Sequence, residues 1–158
     1  MQIVDFEPRH AKAWKALNEA WISKWFTLEA KDREVLDDPV THILDKGGHI
    51  LLAEAAGEVQ ACAALLDMGD GGFELAKMTV AETARGQGLG HALMQACIAR
   101  ARRLGARRVY LETNSALAPA LRLYVASGFV FLPPQASGYS RGDTWMELEL
   151  EPEAPTPP

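Results

Sequence analysis

The fold is indicated most clearly by residues 74–90, Glu-Leu-Ala-Lys-Met-Thr-Val-Ala-Glu-Thr-Ala-Arg-Gly-Gln-Gly-Leu-Gly. It predicts a strand over residues 73–80, a short polar turn, and a glycine-rich loop that opens directly into a helix. The first N–H groups of a helix have no partner inside it, and the helix dipole adds partial positive charge there. Such a loop suits a phosphate, so the stretch predicts a nucleotide-containing cofactor held by its phosphates.

Two common phosphate-binding loops are excluded by the residues that follow. The Walker-type loop ends in Gly-Lys-Ser/Thr, whereas here Gly90 is followed by His91 and an alanine. The dinucleotide-binding loop needs a third glycine at the position that Leu93 occupies. The phosphates of the cofactor are therefore expected to bind to a loop that is neither the Walker type nor the dinucleotide-binding type.

The composition is that of an ordinary soluble protein. The 158 residues are 48% hydrophobic and 23% charged, with no apolar run long enough to span a membrane and no basic leader at the N-terminus. We expect a cytoplasmic protein with one domain over residues 1–150 and a flexible proline-rich tail over residues 151–158. Cys62 and Cys97 have no CxxC spacing and are expected to be small buried hydrophobic residues.

The charge is unevenly distributed. The net charge is −5, yet the segment from Arg85 to Arg122 holds seven arginines and one acid. These arginines are either a solvated helix face or a local attraction for a small polyanion. The acidic remainder argues against nucleic acid. A metal site is not expected, because the aspartate loop at residues 67–72 has Met78 where a calcium loop requires an acid.

Hydrophobic periodicity and the positions of glycine and proline predict the order of elements. Helices are expected from residue 8, over residues 28–36, after the glycine loop as far as Gly105, and from Pro119 to Gly128. Strands are expected at residues 3–6, 49–55, 59–66, 73–80, 109–113, 129–132 and 144–150. The prediction is an α+β fold, with a mostly antiparallel central sheet of about six or seven strands flanked by about four helices.

Two motifs in this order resemble the GNAT superfamily, the acyl-CoA-dependent N-acyltransferases. The first is the glycine-rich loop at residues 85–90, and the second is Leu-Tyr-Val-Ala-Ser-Gly-Phe at residues 123–129. The resemblance covers roughly residues 74–131, and the predicted element order is also similar to that of the family. It implies acetyl-CoA as co-substrate and no metal.

The resemblance implies how CoA would bind. Main-chain N–H groups of the glycine loop would hold the pyrophosphate, and the main chain of Met78 and Val80 would pair with the pantetheine arm. Many members have an asparagine seven residues before the motif tyrosine, where this chain has Leu117, and Asn114 is the substitute considered. The expected cofactor-binding residues are Met78, Thr79, Val80, Arg85, Gly86, Gln87, Gly88, Leu89, Gly90, His91, Asn114 and Tyr124.

The resemblance also implies catalytic roles for two residues. Tyr124 corresponds to the tyrosine that in many members protonates the departing CoA thiolate, although it is also explained as a core aromatic. Glu74 resembles the strand carboxylate that some members use as general base, although a strand-end carboxylate in water is the alternative. Lys77 is assigned no role.

The family's acceptor site usually lies between the first two helices and the loop that joins the last two strands. The residues expected there are Trp21, Trp25, Phe26, Tyr139 and Arg141. The tryptophans lie at helical spacing, and residues at this spacing more often belong to the core than to a binding cleft. Arg141 would either hold a carboxylate of the acceptor or pair with an acid on the final strand.

The predicted function is therefore N-acetyl transfer from acetyl-CoA to a primary amine of a small molecule or peptide by direct attack. The alternatives are a non-catalytic module that binds acyl-CoA and an enzyme that acetylates protein N-termini or lysines. A larger acyl donor such as succinyl-CoA also stays open. A homodimer through the exposed edge of the last strands is compatible with the pattern.

Overall fold

A computed structural model describes residues 1–151 of the chain, so all of the predicted tail except Glu151 lies outside the described residues. The strands are β1 (Gln2–Asp5), β2 (His49–Ala55), β3 (Glu58–Asp67), β4 (Gly72–Val80), β5 (Arg108–Thr113), β6 (Val130–Phe131) and β7 (Thr144–Glu149). The helices are α1 (Ala11–Trp25), α2 (Ala30–Asp37), α3 (Pro39–His42), α4 (Leu89–Arg103) and α5 (Ala118–Ala126). Three short 3₁₀ turns, Pro8–His10, Leu44–Lys46 and Glu82–Ala84, connect them.

The seven strands form a single sheet in the order β1-β2-β3-β4-β5-β7-β6. Every neighbouring pair is antiparallel except β4 and β5, which are parallel. The predicted α+β fold with a mostly antiparallel sheet is confirmed. One helix more than expected is present, because Pro39 begins the single-turn helix α3. Within residues 1–151 the helices lack the length and apolar character needed to cross a bilayer.

The sheet has a hydrophobic core on each face. Helix α4 covers one face, where Leu93, Met94 and Cys97 pack in a buried cluster with strand residues. Helices α1 and α2 cover the other face in a second buried cluster that includes Cys62. Burial raises the pKa of both cysteine thiols to about 12. The expectation that both are small buried residues is confirmed.

The tryptophans of α1 do not share one environment. Trp14 is fully buried, and its indole N–H donates to the carbonyl oxygen of Val35 at 3.0 Å. Trp21 is partly buried, whereas 54% of Trp25 is exposed. The helical stripe is therefore core at its beginning and reaches the surface at its end.

A β-bulge in β4 opens the sheet. Cys62 pairs with Thr79 and Ala64 pairs with Ala76, so that two residues of β4 lie opposite one residue of β3. Lys77 lies in the bulge with a positive φ of 54°. On the other side, β5 pairs with β4 only through residues 72–74, after which the two strands part. The second half of β4 is thereby left with an edge that β5 does not cover.

Candidate active site

A cavity of about 470 Å³ lies where β4 and β5 part. One wall is the second half of β4, from Glu74 to Val80, and the other is the end of β5 with Glu112 and Asn114. Residues of α1, α5 and the β6–β7 loop complete it. The cavity exists because the bulge bends β4 away from β5, a device that is common next to active sites.

The glycine loop, residues 85–90, lies at one end of this cavity. Gly86 and Gly88 have φ values of 79° and 77°, in the left-handed region that favours glycine. Gly88 is the N-cap of α4, and the helix has no side-chain cap and no acid in its first turn. Its N-terminal N–H groups are therefore available to an anionic ligand.

Tyr124, on α5, lines the cavity and packs its ring against Phe129, with 6.0 Å between the ring centroids. It also borders the α4-side core, so both sequence interpretations of this residue describe part of its environment. Burial raises the pKa of its hydroxyl to about 12. The group therefore stays protonated near neutral pH and can donate a proton.

Two carboxylates line the middle of the cavity. Glu74 pairs in register with Tyr110, and Glu112 lies two residues further along β5 on the same face. Burial and then repulsion by Glu112 raise the pKa of Glu74, while Lys31 and Lys77 lower it. The Oε1 atom of Glu112 is buried and has no hydrogen-bond partner in the described part of the chain.

An ion cluster lies at the end of the cavity away from the glycine loop, and it joins the buried Asp32 and Lys77 to the partly buried Arg141 and Glu29. Asp32 is fully buried and accepts from both terminal nitrogens of Arg141, at 2.9 and 2.6 Å. It also accepts from Lys77 Nζ at 2.6 Å and from the Glu29 main-chain N–H at 2.9 Å. Although burial opposes ionisation, these donors hold the pKa of Asp32 well below its usual range.

The ion cluster anchors the β6–β7 loop to α2. Arg141 pairs with Glu29 at 3.1 Å as well as with Asp32, so its acidic partners lie around α2 and not on the final strand. Tyr139 lies between the cations, with Arg141 Cζ 4.4 Å and Lys77 Nζ 4.5 Å from its ring centroid. Its hydroxyl accepts from Lys77 Nζ at 3.2 Å. The loop is thus held as one wall of the cavity.

Most of the residues predicted for the site meet in this cavity. It is lined by Trp21, Phe26, Glu74, Met78, Thr79, Val80, Arg85, Gly86, Gly90, Asn114, Tyr124, Tyr139 and Arg141. The predicted residues outside its lining are Trp25, Gln87, Gly88, Leu89 and His91. Gln87, Gly88 and His91 are exposed around the start of α4, and Leu89 is buried beneath it. Asn114 is already engaged, because its side-chain amide donates to the Arg141 carbonyl oxygen at 2.7 Å.

Three charged residues of the site were missed from the sequence. Lys77, Asp32 and Glu112 all contact the cavity or its wall. A lysine in a strand that is otherwise buried was the one signal available, because such a charge needs a partner. Asp32 and Glu112 carried no local signal, since their neighbours come from distant parts of the chain.

Comparison with known proteins agrees with this geometry. The sequence model of the Acetyltransferase (GNAT) family matches residues 11–129. An acetyltransferase of the GNAT family from Staphylococcus aureus has a similar structure, with a TM-score of 0.85 at 17% identity, covering 95% of this chain and 99% of that one. The yncA protein of Salmonella typhimurium, solved with its cofactor acetyl-CoA, has a TM-score of 0.77 at 23% identity, covering 99% and 98%. No curated protein matches the sequence.

The chain is a member of the GNAT acetyltransferase family and is an acyltransferase. The family resemblance stated from two motifs is confirmed over a longer range, because the match extends from α1 to the residue before β6. Residues 1–151 hold no group of three His, Cys, Asp or Glu side chains that could bind a metal ion.

Proposed function

We propose that this protein transfers the acetyl group of acetyl-CoA to the primary amine of a small molecule or peptide. The observation that carries the proposal is the continuous cavity between β4 and β5, which joins the glycine loop to two carboxylates and Tyr124. The glycine loop suits the pyrophosphate of CoA, and the uncovered edge of β4 offers main-chain groups to an extended arm. A cytoplasmic location is part of the proposal.

The residues expected to hold CoA act mainly through their main chain. N–H groups of residues 86–90 would bind the pyrophosphate, with Arg85 beside them. The Arg85 Nε atom lies 3.4 Å from the Val80 carbonyl oxygen, which links the loop to the end of β4. Met78 and Val80, beyond the last paired residues of β4, would then bind the pantetheine arm as an added strand.

Glu74 is the proposed general base. An ammonium ion cannot attack a thioester, so the amine must first lose a proton, directly or through a water molecule. Glu74 lines the cavity, and its raised pKa brings it closer to neutral pH than an ordinary glutamate. A carboxylate of that kind accepts a proton from an ammonium more readily.

Tyr124 is the proposed general acid. The neutral amine attacks the thioester carbonyl carbon, the carbon–nitrogen bond forms, and the carbon–sulfur bond breaks. The tyrosine proton passes to the departing sulfur. The ammonium loses one proton to Glu74 before the attack, and the nitrogen loses a second as the amide forms. One of these two protons restores the Tyr124 hydroxyl, and the other leaves to solvent. A main-chain N–H of residues 78–80 would stabilise the oxyanion during the attack.

Thiol release from acetyl-CoA, measured against a panel of amines with mass detection of the products, tests the proposal. Glu74→Gln should lower kcat by about 10²–10⁴ and remove the fall in activity that wild type shows as Glu74 becomes protonated at low pH. Tyr124→Phe should lower kcat with little change in the KM for acetyl-CoA. Glu58→Gln, an exposed strand glutamate, is the matched control.

Each alternative has its own outcome. Tight CoA binding without thiol release on any amine would indicate the non-catalytic module and contradict the proposed transfer. Acetylation of a peptide N-terminus or lysine in preference to every small amine would indicate a protein acetyltransferase. Faster turnover with succinyl-CoA than with acetyl-CoA would identify succinyl-CoA as the acyl donor. An unchanged pH profile in Glu74→Gln would reject that residue as the base.

We also propose that the protein forms a homodimer through the edge of its sheet. Strand β6 is at the edge of the sheet, and both Val130 and Phe131 are 59% exposed. An apolar edge strand offers unpaired main-chain groups to a second copy. Sedimentation of wild type and of Phe131→Lys would test this, since the substitution should shift any dimer to monomer.

A further inference from the structure

Glu112 is the group in the cavity that the proposed reaction leaves unused. It lines the middle of the cavity, and its Oε1 atom is buried without a hydrogen-bond donor among residues 1–151. Gly142 packs directly against this carboxylate, and any Cβ at that position would overlap it. A buried carboxylate oxygen without a donor is costly, so such a group calls for a partner that the described chain does not supply.

The cations of the acceptor end are not free to be that partner. Arg141 is bound by Asp32 and Glu29, and Lys77 Nζ is bound by Asp32 at 2.6 Å. Among residues 1–151, neither Glu74 nor Glu112 takes part in a salt bridge. Arg141 and Lys77 are thus already paired with acids. Lys31 lies over the ring of Tyr139 at 4.8 Å and lowers the pKa of Glu74, but it forms no salt bridge with either carboxylate of the cavity.

The paired cations and unpaired carboxylates of the cavity favour a positively charged ligand over a negatively charged one. An acceptor carboxylate would meet Glu74 and Glu112, and it would have to displace Asp32 to reach Arg141. A cationic group meets two free carboxylates. The aromatic rings of Trp21 and Phe26, which also line the cavity, offer faces that attract cations. The cavity is therefore suited to an acceptor with positive charge and no carboxylate near its amine.

We propose that the acceptor carries a second cationic group besides the amine that is acetylated, and that Glu112 binds this second group. The inference rests on the proposed function, because it assumes that the reacting amine lies near Glu74. It makes Glu112 a specificity-determining residue, whereas Glu74 is the base.

The register sets the spacing between the two cationic groups. Glu74 pairs with Tyr110, and Glu112 lies two residues beyond it on the same face of β5. Two residues of a strand extend roughly 7 Å, and neighbouring strands lie about 5 Å apart or more where they part. The two offsets combine to roughly 8 Å or more. Ammonium nitrogens that bind between the carboxylates, each about 3 Å from an oxygen, lie closer together than that. The best acceptors should therefore be diamines whose nitrogens are joined by about three to five carbons.

The test compares diamines with monoamines of the same chain length. The probes are 1,3-diaminopropane, 1,4-diaminobutane and 1,5-diaminopentane against propylamine, butylamine and pentylamine, with acetyl-CoA as donor. Wild type should show kcat/KM at least tenfold higher for the best diamine than for its monoamine, mainly through a lower KM. Glu112→Gln should bring this ratio close to one. Because the change also removes the repulsion that raises the pKa of Glu74, the diamine and its monoamine are compared within each variant, as a ratio.

Two further variants make the result specific to Glu112. Glu149→Gln, an exposed glutamate on β7, should keep the wild-type ratio. Glu112→Asp keeps the charge on a shorter side chain, so it should retain part of the preference and shift it toward a longer diamine. Circular dichroism and thermal unfolding show whether Glu112→Gln is folded. If it is not, the diamine preference is measured in Glu112→Asp instead.

The outcomes separate this inference from the proposed function. Acetylation of monoamines and diamines with equal kcat/KM would overturn the inference and leave the proposed function intact. A diamine preference that survives in Glu112→Gln would also overturn it. No acetylation of any amine would contradict the proposed function itself, and the inference with it.

Discussion

The two ends of the cavity, the glycine loop and the ion cluster, are built in opposite ways. The glycine loop is one continuous segment that offers main-chain N–H groups at the start of α4. The ion cluster joins side chains of residues 29, 32, 77 and 141, so that Arg141 and Asp32 meet across 109 residues of sequence. Under the proposed function, the co-substrate would be bound by main-chain groups at one end and the acceptor by side chains at the other.

Because one end of the cavity depends on the main chain and the other on charged side chains, different substitutions should be most damaging at the two ends. Removing a charge should damage the ion cluster, because its members are buried and depend on one another. Adding a methyl group should damage the glycine loop, because its function depends on left-handed main-chain conformations. Four experiments, from the largest expected effect to the smallest, test this contrast.

Asp32→Ala should have the largest effect, because it leaves the buried Lys77 without its carboxylate and the partly buried Arg141 with Glu29 alone. Breaking a buried ion pair by removing one partner typically costs about 3–5 kcal/mol in the free energy of unfolding. Urea unfolding measures this loss. Glu34→Ala, an exposed acid on the same helix, is the control and should change stability by less than about 0.5 kcal/mol. Equal losses in the two variants would mean that the ion cluster contributes no net stability.

Gly88→Ala should destabilise the protein by about 1–2 kcal/mol, because an alanine at φ 77° is strained. The added Cβ meets no atom within 4 Å, so the cost is conformational and not steric. The same change should weaken CoA binding, which calorimetry would measure.

Gly90→Ala is the matched control for stability in the same loop. Gly90 lies within α4, and its Cβ would meet the Val80 side chain at an ordinary 3.6 Å. Because alanine favours a helix over glycine, this variant should lose no stability or gain up to about 1 kcal/mol. A Gly90→Ala loss as large as that of Gly88→Ala would contradict the conformational explanation.

Glu74→Gln should stabilise the protein at neutral pH. Burial and repulsion by Glu112, only partly offset by Lys31 and Lys77, raise the pKa of Glu74 in the folded state. Ionised Glu74 therefore costs stability above its folded pKa, and the cost disappears below its unfolded pKa. Each unit of pKa shift is worth about 1.4 kcal/mol.

Thermal unfolding of wild type and Glu74→Gln across pH 4 to 8 measures this gain. The variant should exceed wild type at pH 8, and the difference should shrink toward zero at pH 4. A constant difference over this range would show that the effect is not electrostatic. The result would also indicate that the proposed base is held at a cost to the fold.

Lys24→Ala should have the smallest effect. Its Nζ lies 3.4 Å from Glu82 Oε1, which links the end of α1 to the turn before the glycine loop. Both side chains are largely exposed, and exposed pairs contribute about 0–1 kcal/mol. Thermal unfolding at low and high salt should show a small loss that salt removes. A loss of stability above about 2 kcal/mol would mean that this surface pair links α1 to the turn before the glycine loop more strongly than its exposure suggests.

Much of the fold could be predicted from the sequence because its signals are local. An apolar run after the turn at residues 47–48 predicted β2 with the same bounds that the structure has, and similar local patterns predicted the other strands to within one or two residues. Pro119 lies in the first turn of α5, and Gly105 and Gly128 follow the ends of α4 and α5. The β4 bulge was not predicted, since Lys77 in a left-handed conformation leaves no local pattern.

The site divides in the same way. The glycine loop and Tyr124 could be placed beside the cavity from the sequence because each belongs to a contiguous motif. Of the residues predicted for the acceptor, Trp21, Phe26, Tyr139 and Arg141 line the cavity, whereas Trp25 lies at the surface.

The sequence by itself determined the order of helices and strands, the glycine loop and the family, because each of these depends on neighbouring residues and on periodicity. Only the tertiary structure decided that Asp32 neutralises Lys77 and Arg141, and that Glu112 faces the cavity beside Glu74. The energy of a buried charge depends on partners that are distant in sequence and on the exclusion of water. No periodicity records those conditions, so the electrostatic character of the acceptor end emerged only when the chain was folded.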